Sequence, residues 1–194
     1  MKPTFTPGTP GGYLTGQLLV AMPQMRDARF ARTVIYVCTH SADGAMGLVV
    51  NRLVGATRFP ELLSQLGIEA KPDSGDIRIH FGGPVESERG FVLHSADYTN
   101  DGSVMVNEGM ALTATLEILK AIADGHGPRL SLLALGYAGW GAGQLDSEIH
   151  ANGWLTVPAD EALVFDADLD SKWQRAVDKI GIEPGRLSGD VGHA

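Results

Sequence analysis

The apolar positions of this chain fall mostly into short runs, the period of strands, with a few helical stripes between them. Gly16 to Met22 reads as a short apolar strand. Thr33 to His40 is the clearest strand, because Val34, Ile35, Tyr36 and Val37 suit a pleated surface. A turn at Ala42-Asp43-Gly44 leads into a further strand, Met46 to Asn51, so the pair is predicted to form a hairpin. Ile77 to Phe81 alternates, with Ile77, Ile79 and Phe81 on one face and Arg78 and His80 on the other. Phe91 to His94 and, more weakly, Ser103 to Val106 follow as strands, and Leu130 to Leu135 is apolar throughout, as in a strand covered on both faces.

Helical spacing is rarer. Pro60 suits a first helical turn and Gly67 a helix end, which predicts a short helix over Pro60 to Leu66. Leu112, Leu116, Leu119 and Ala123 recur at helical intervals, with Gly125 closing the helix. Ala142, Leu145 and Ile149 form a stripe that Asn152-Gly153 ends. A last helix is expected after Asp170, whose carboxylate would cap it, turning Trp173, Ala176, Val177 and Ile180 inward. Strands in runs with helices interspersed indicate the α+β class. Met1 to Tyr13 is rich in Pro, Gly and Thr and reads as a flexible tail, leaving residues 14–194 as one domain.

Composition narrows the function. The 194 residues carry 23 acidic and 15 basic side chains, a formal charge of -8, which disfavours direct nucleic-acid binding. The only basic cluster is Arg26, Arg29 and Arg32, interrupted by Asp27. Cys38 is the sole cysteine, so neither an internal disulfide nor a Cys-rich zinc site can form. No apolar run reaches membrane-spanning length and the N-terminus lacks a signal-like segment, so a cytoplasmic protein is expected.

Two constellations could carry chemistry. Cys38 and His40 lie two apart on a predicted strand, where side chains share a face, so an imidazole could activate the thiol for redox sensing or nucleophilic attack; alternatively Cys38 is a small buried hydrophobe. The glycine-rich run Gly136-Tyr137-Ala138-Gly139-Trp140-Gly141-Ala142-Gly143 follows a strand and opens a helix, a setting in which backbone N–H groups can cradle a ligand. It lacks the spacing of dinucleotide-binding and phosphate-binding loops, and close packing is the competing reading. Gly82-Gly83-Pro84 carries the same ambiguity. Asp146 and His150 are spaced to pair on one helix, too few for a metal site. Asp166-x-Asp168-x-Asp170 fails as a calcium loop, because Ser171 and Val177 stand where glycine and glutamate are needed. His80, His94, His126 and His193 are isolated, and neither a zinc-protease motif nor a serine-hydrolase elbow is present. No metal or cofactor is implied.

Several motifs occur in a fixed order: Gly16-Gln17-Leu18-Leu19-Val20-Ala21-Met22-Pro23, Val34 to Cys38, Gly44 to Arg52, Phe81-Gly82-Gly83-Pro84-Val85, Arg89 to His94, Leu135 to Trp140, Gly143-Gln144-Leu145, Glu148-Ile149 and Gly192-His193. Together they resemble the bacterial YqgE/AlgH family over residues 14 to 193. The one visible departure is Leu53, where members often carry proline after the Asn-Arg pair. The resemblance implies a bifurcated, partly barrel-like mixed sheet surrounded by helices, and a cytosolic location. It supplies no catalytic residues. Some members bear the label of transcriptional regulator, which the acidic charge and the lack of a basic recognition helix restrict to an indirect role. The sequence therefore favours a non-catalytic regulatory or adaptor domain that binds a protein partner or small ligand, with a thiol centre at Cys38 and His40 as the alternative. Ligand contacts are expected at Gly82, Gly83, Gly136, Gly139, Trp140, Gly141 and Gly143.

Overall fold

The computed structural model describes residues 13–72 and 77–183. The expected tail, apart from Tyr13, and the Gly192-His193 motif lie outside these residues. In chain order the elements are β1 Gln17–Ala21, β2 Val34–Ser41, β3 Gly44–Val49, α1 Phe59–Gln65, β4 Ile79–Phe81, β5 Val85–Ser95, β6 Ser103–Met105, β7 Met110–Thr113, α2 Leu116–Ala123, β8 Ser131–Gly141, α3 Gln144–His150, β9 Trp154–Pro158, α4 Glu161–Phe165 and α5 Lys172–Lys179. The strands make one curled, half-barrel sheet in the order β6-β7-β5-β8-β3-β2-β1-β9, flanked by the helices in an α+β domain.

The sheet forks at β8. Along its first half β8 pairs with β5 on one side and, in parallel, with β4 on the other; along its second half β3 takes the place of β4. The fork needs backbones in near contact, which explains the glycines there. Gly136 has φ +72°, and a Cβ on it would lie 2.3 Å from the Gly83 carbonyl oxygen. A Cβ on Gly82 would in turn lie 2.2 Å from the Gly136 oxygen. Only glycine meets both demands. The run Gly136 to Gly143 is therefore mostly strand, not loop: β8 continues through Gly141, and only Ala142 and Gly143 turn the chain into α3. Glycine masks the strand signal because it has no side chain to show alternation.

Three apolar layers result. Tyr36, Leu48, Phe91 and Leu93 pack on one face of the sheet with Leu163, Trp173 and Val177 from α4 and α5. Ile35, Val37 and Val49 pack on the opposite face with Trp140, Leu145 and Trp154. Phe59, Leu63, Ile118 and Leu119 from α1 and α2 cover the β4–β5 end. Three expectations are corrected. Leu112 belongs to β7, where it pairs with Leu93 and Val104, so the helical stripe starts only at Leu116. β9 and α4, which the pattern did not signal, lie between Asn152-Gly153 and α5. The carboxylate at the start of α5 is that of Asp168, bonded to the Ser171 hydroxyl and N–H, rather than that of Asp170.

Candidate functional site

Cys38 and His40 do not share a face. Pairing between β2 and β3 steps from Val37 opposite Gly47 to Thr39 opposite Met46, leaving Cys38 as the extra residue of a bulge. One inserted residue reverses the alternation beyond it. Cys38 accordingly packs with Tyr36 and Met46, whereas His40 opposes Ala45 in the Ile35–Val37 layer. The His40 Nε2 lies 3.5 Å from the Asp146 carboxylate of α3, and its Nδ1 accepts from the Leu14 N–H. Cys38 is 3 % exposed, and burial pushes its thiol up to about 12, the reverse of what a reactive cysteine needs. A thiol centre at Cys38 and His40 is not favoured.

Other candidates also resolve into structural contacts. His150 bonds the backbone oxygen of Asp146 rather than its carboxylate. Asp166 accepts from Arg175 and from the Asp168 N–H. His94 is fully buried, its two nitrogens engaged by the Ser95 carbonyl and the Thr113 hydroxyl. Among the described residues no three His, Cys, Asp or Glu side chains group to hold a metal. No helix there is long and apolar enough to cross a membrane.

The glycine segments lead to a cleft of about 390 Å³ beyond the fork. Of the residues expected to contact a ligand, Gly139 and Trp140 line it, together with Pro84 and Val85 after the Gly82-Gly83 crossing. Gly82, Gly83 and Gly136 pack against one another at the fork, while Gly141 and Gly143 frame the entry to α3. The opposite wall is the segment 25–30, through Met25, Asp27, Arg29 and Phe30; α3 and the start of β9 supply Gln144, Glu148 and Trp154.

Glu148 is the hub of the hydrogen bonds in the cleft lining. The indole N–H groups of Trp140 and Trp154 both donate to Glu148 Oε2, at 2.9 and 2.8 Å. Gln144 Nε2 donates to Glu148 Oε1 at 3.0 Å, while its own Oε1 accepts from the Gly141 N–H. Spacing explains the set: Gln144 and Glu148 are one helical turn apart, and the two tryptophans flank that helix. The rings of Trp140 and Trp154 meet edge to face at 6.0 Å, and Phe30 meets Trp154 likewise at 5.8 Å. At the rim Arg29 forms an ion pair with Asp27, which holds that carboxyl below the usual range.

The wall that carries Phe30 is clamped from the end of β3. The Arg52 guanidinium donates to the carbonyls of Ala28, Arg29 and Ala31. Asn51 donates to the Arg32 carbonyl and accepts from the Val34 N–H. Glu148, Gln144, Trp154, Phe30 and Arg52 were not singled out as site residues from sequence. The available signal was two tryptophans bracketing a Gln-x-x-x-Glu helix.

Comparison with known proteins identifies the group to which this arrangement belongs. A family profile described as AlgH-like (DUF179) matches residues 18–185. The chain belongs to that family. Among AlgH-like relatives, a UPF0301 protein of Afipia carboxidovorans is 60% identical over 190 residues, covering 94% of this chain and 90% of that one. A UPF0301 protein of Rhodospirillum rubrum is 56% identical over 183 residues, covering 94% of this chain and 95% of its own. The solution structure of the AlgH protein from Pseudomonas aeruginosa superposes with a TM-score of 0.77 at 41% identity, spanning 96% of this chain and 99% of that one. A Corynebacterium diphtheriae protein shares the fold, with a TM-score of 0.70 at 20% identity over 94% of this chain and 95% of its own.

Proposed function

We propose that this AlgH-like protein is a non-catalytic binding domain whose ligand, a small molecule or a segment of a protein partner, occupies the cleft between Trp140, Trp154 and Phe30. The observation that carries the reading is the Glu148 carboxylate, oriented by three N–H donors inside an aromatic-walled cleft. Preformed clefts with apolar walls and a few fixed polar groups are the usual form of a ligand site. Gly139, Trp140 and the turn after Gly82-Gly83 contribute to it, and the glycines of the fork set its shape. A regulatory role would act through what the cleft binds, since a charge of -8 opposes DNA contact. The same reading places the protein in the cytoplasm, supported by a single cysteine with no partner in the chain.

A thermal-shift screen of metabolite classes, paired with a pull-down, tests the reading. The expected result is a ligand or partner that stabilises the wild-type chain and loses its effect in Trp154→Ala. Robust turnover of any substrate by the purified protein would overturn it.

A further inference from the structure

Resting on the cleft reading above, we infer that the cleft selects an organic cation, a guanidinium or alkylammonium group, seated between the aromatic walls and the Glu148 carboxylate. A carboxylate offers about four acceptor positions, and three N–H groups take up three, so Glu148 keeps one for a ligand donor. Among the described residues it has no Lys or Arg partner. The one guanidinium lining the cleft, Arg29, is committed to Asp27, so the lining carries one more acidic than basic side chain. The field of the whole chain, at -8, has the same sign. The walls add the second requirement of cation recognition, since Trp140, Trp154 and Phe30 line the same cleft as the carboxylate. The molecule already shows this preference in its own contacts: the Arg29 guanidinium stands 5.6 Å from the centre of the Phe30 ring. An anion would meet Glu148 directly, and the cleft offers it no unpaired basic group.

Two charged probes and one neutral probe decide the matter: agmatine for the guanidinium, choline for the alkylammonium, and dimethylbutanol as the uncharged analogue of choline. Each is titrated into the full chain while tryptophan emission is followed; Trp140 and Trp154 line the cleft, and Trp173 sits in the opposite layer. The expected result is a saturable change with agmatine or choline, about tenfold weaker with dimethylbutanol. Glu148→Gln should weaken the cation by about tenfold. Arg29→Gln should tighten it several-fold, because it removes the resident positive charge. Arg29 is 60% exposed, so this second variant keeps the test decisive if Glu148→Gln fails to fold. A capped arginine tripeptide separates two sources of the same chemistry. Binding much tighter than agmatine indicates a basic side chain of a protein partner, and equal binding a free cation.

Absence of a saturable response to both cations, or responses unchanged in both variants, overturns the inference. If a neutral or anionic compound instead perturbs the cleft tryptophans and protects the chain, the cation assignment falls and the cleft reading stands. If compounds of every charge class fail and the pull-down recovers no partner, both fall.

Discussion

Lys172 is fully buried at the start of α5, and among the described residues its ammonium group has no carboxylate within ion-pair distance. It donates instead to the carbonyls of Val50, at 3.1 Å, and Val164, at 2.8 Å, tying the end of β3 to α4. Burial is the main reason its pKa falls from 10.5 to about 8; Arg175 and Arg78 push it the same way, and Asp166 and Asp168 oppose them. The unfolded chain holds this proton up to about pH 10.5, while the folded chain sheds it near 8. Between those values the unfolded state carries more protons, so stability rises with pH, by roughly 3 kcal/mol across the window. The relief is complete above the unfolded value and absent at neutral pH, where the buried cation is carried at a cost. Lys172→Met keeps the volume and removes the charge, at the expense of a donor for two carbonyls worth about 1–3 kcal/mol each. At neutral pH these effects offset, so the slope and not the midpoint is diagnostic.

The assay is urea denaturation of both proteins from about pH 7 to about pH 10. Burial also raises Cys38 from 9.0 to about 12 and raises Tyr36, which weakens the fold at alkaline pH. Both proteins share that loss, so it cancels in the difference. The wild type should gain on Lys172→Met by up to about 3 kcal/mol across the range. A flat difference would refute the reasoning.

On the acid side, burial and the Lys172 charge lower His80 from 6.5 to about 4, so the unfolded chain takes up a proton that the folded chain refuses. Stability should therefore fall as pH drops through that window, by roughly 3 kcal/mol, and His80→Gln should flatten this limb in denaturation curves. Gly136→Ala adds a Cβ at φ +72° against the Gly83 carbonyl, and should cost about 2–4 kcal/mol in a urea melt. Gly55→Ala, with nothing within 4 Å of the new atom, should leave the melt unchanged. Cys38 in the folded chain should resist alkylation at neutral pH and react only as the protein unfolds, read by mass spectrometry. Arg52→Ala should accelerate hydrogen exchange at residues 28–31 while the β2 amides stay protected, because it frees the three clamped carbonyls.

Where apolar residues form short unbroken runs, the sequence is readable. β2, β3 and the start of β8 carry such runs, and they are strands there, with β3 starting two residues earlier, at Gly44, than its apolar run suggests. It was unreadable where one residue changes the count. Val37-Cys38-Thr39 looks like uninterrupted strand, and nothing in its composition marks the bulge that separates Cys38 from His40. The second half of β8 is unreadable for another reason: Gly136, where it begins, records backbone contacts with Gly82 and Gly83, partners more than fifty positions away. The cleft shows both conditions. Trp140 and the glycines stand out in the local pattern, but Glu148 joins the candidate site only once Trp154, itself packed on Phe30, is folded against it.

The fork at β8 also gives the fold a mechanical character. Trp140 rides on the far end of a strand whose near end is stitched to β4 and β5. A molecule that draws Trp140 inward therefore pulls on a shared rail, and the glycine crossing halfway along has no side chains to absorb the strain. One continuous backbone thereby joins the strand end that carries Trp140 to the end that α1 and α2 cover.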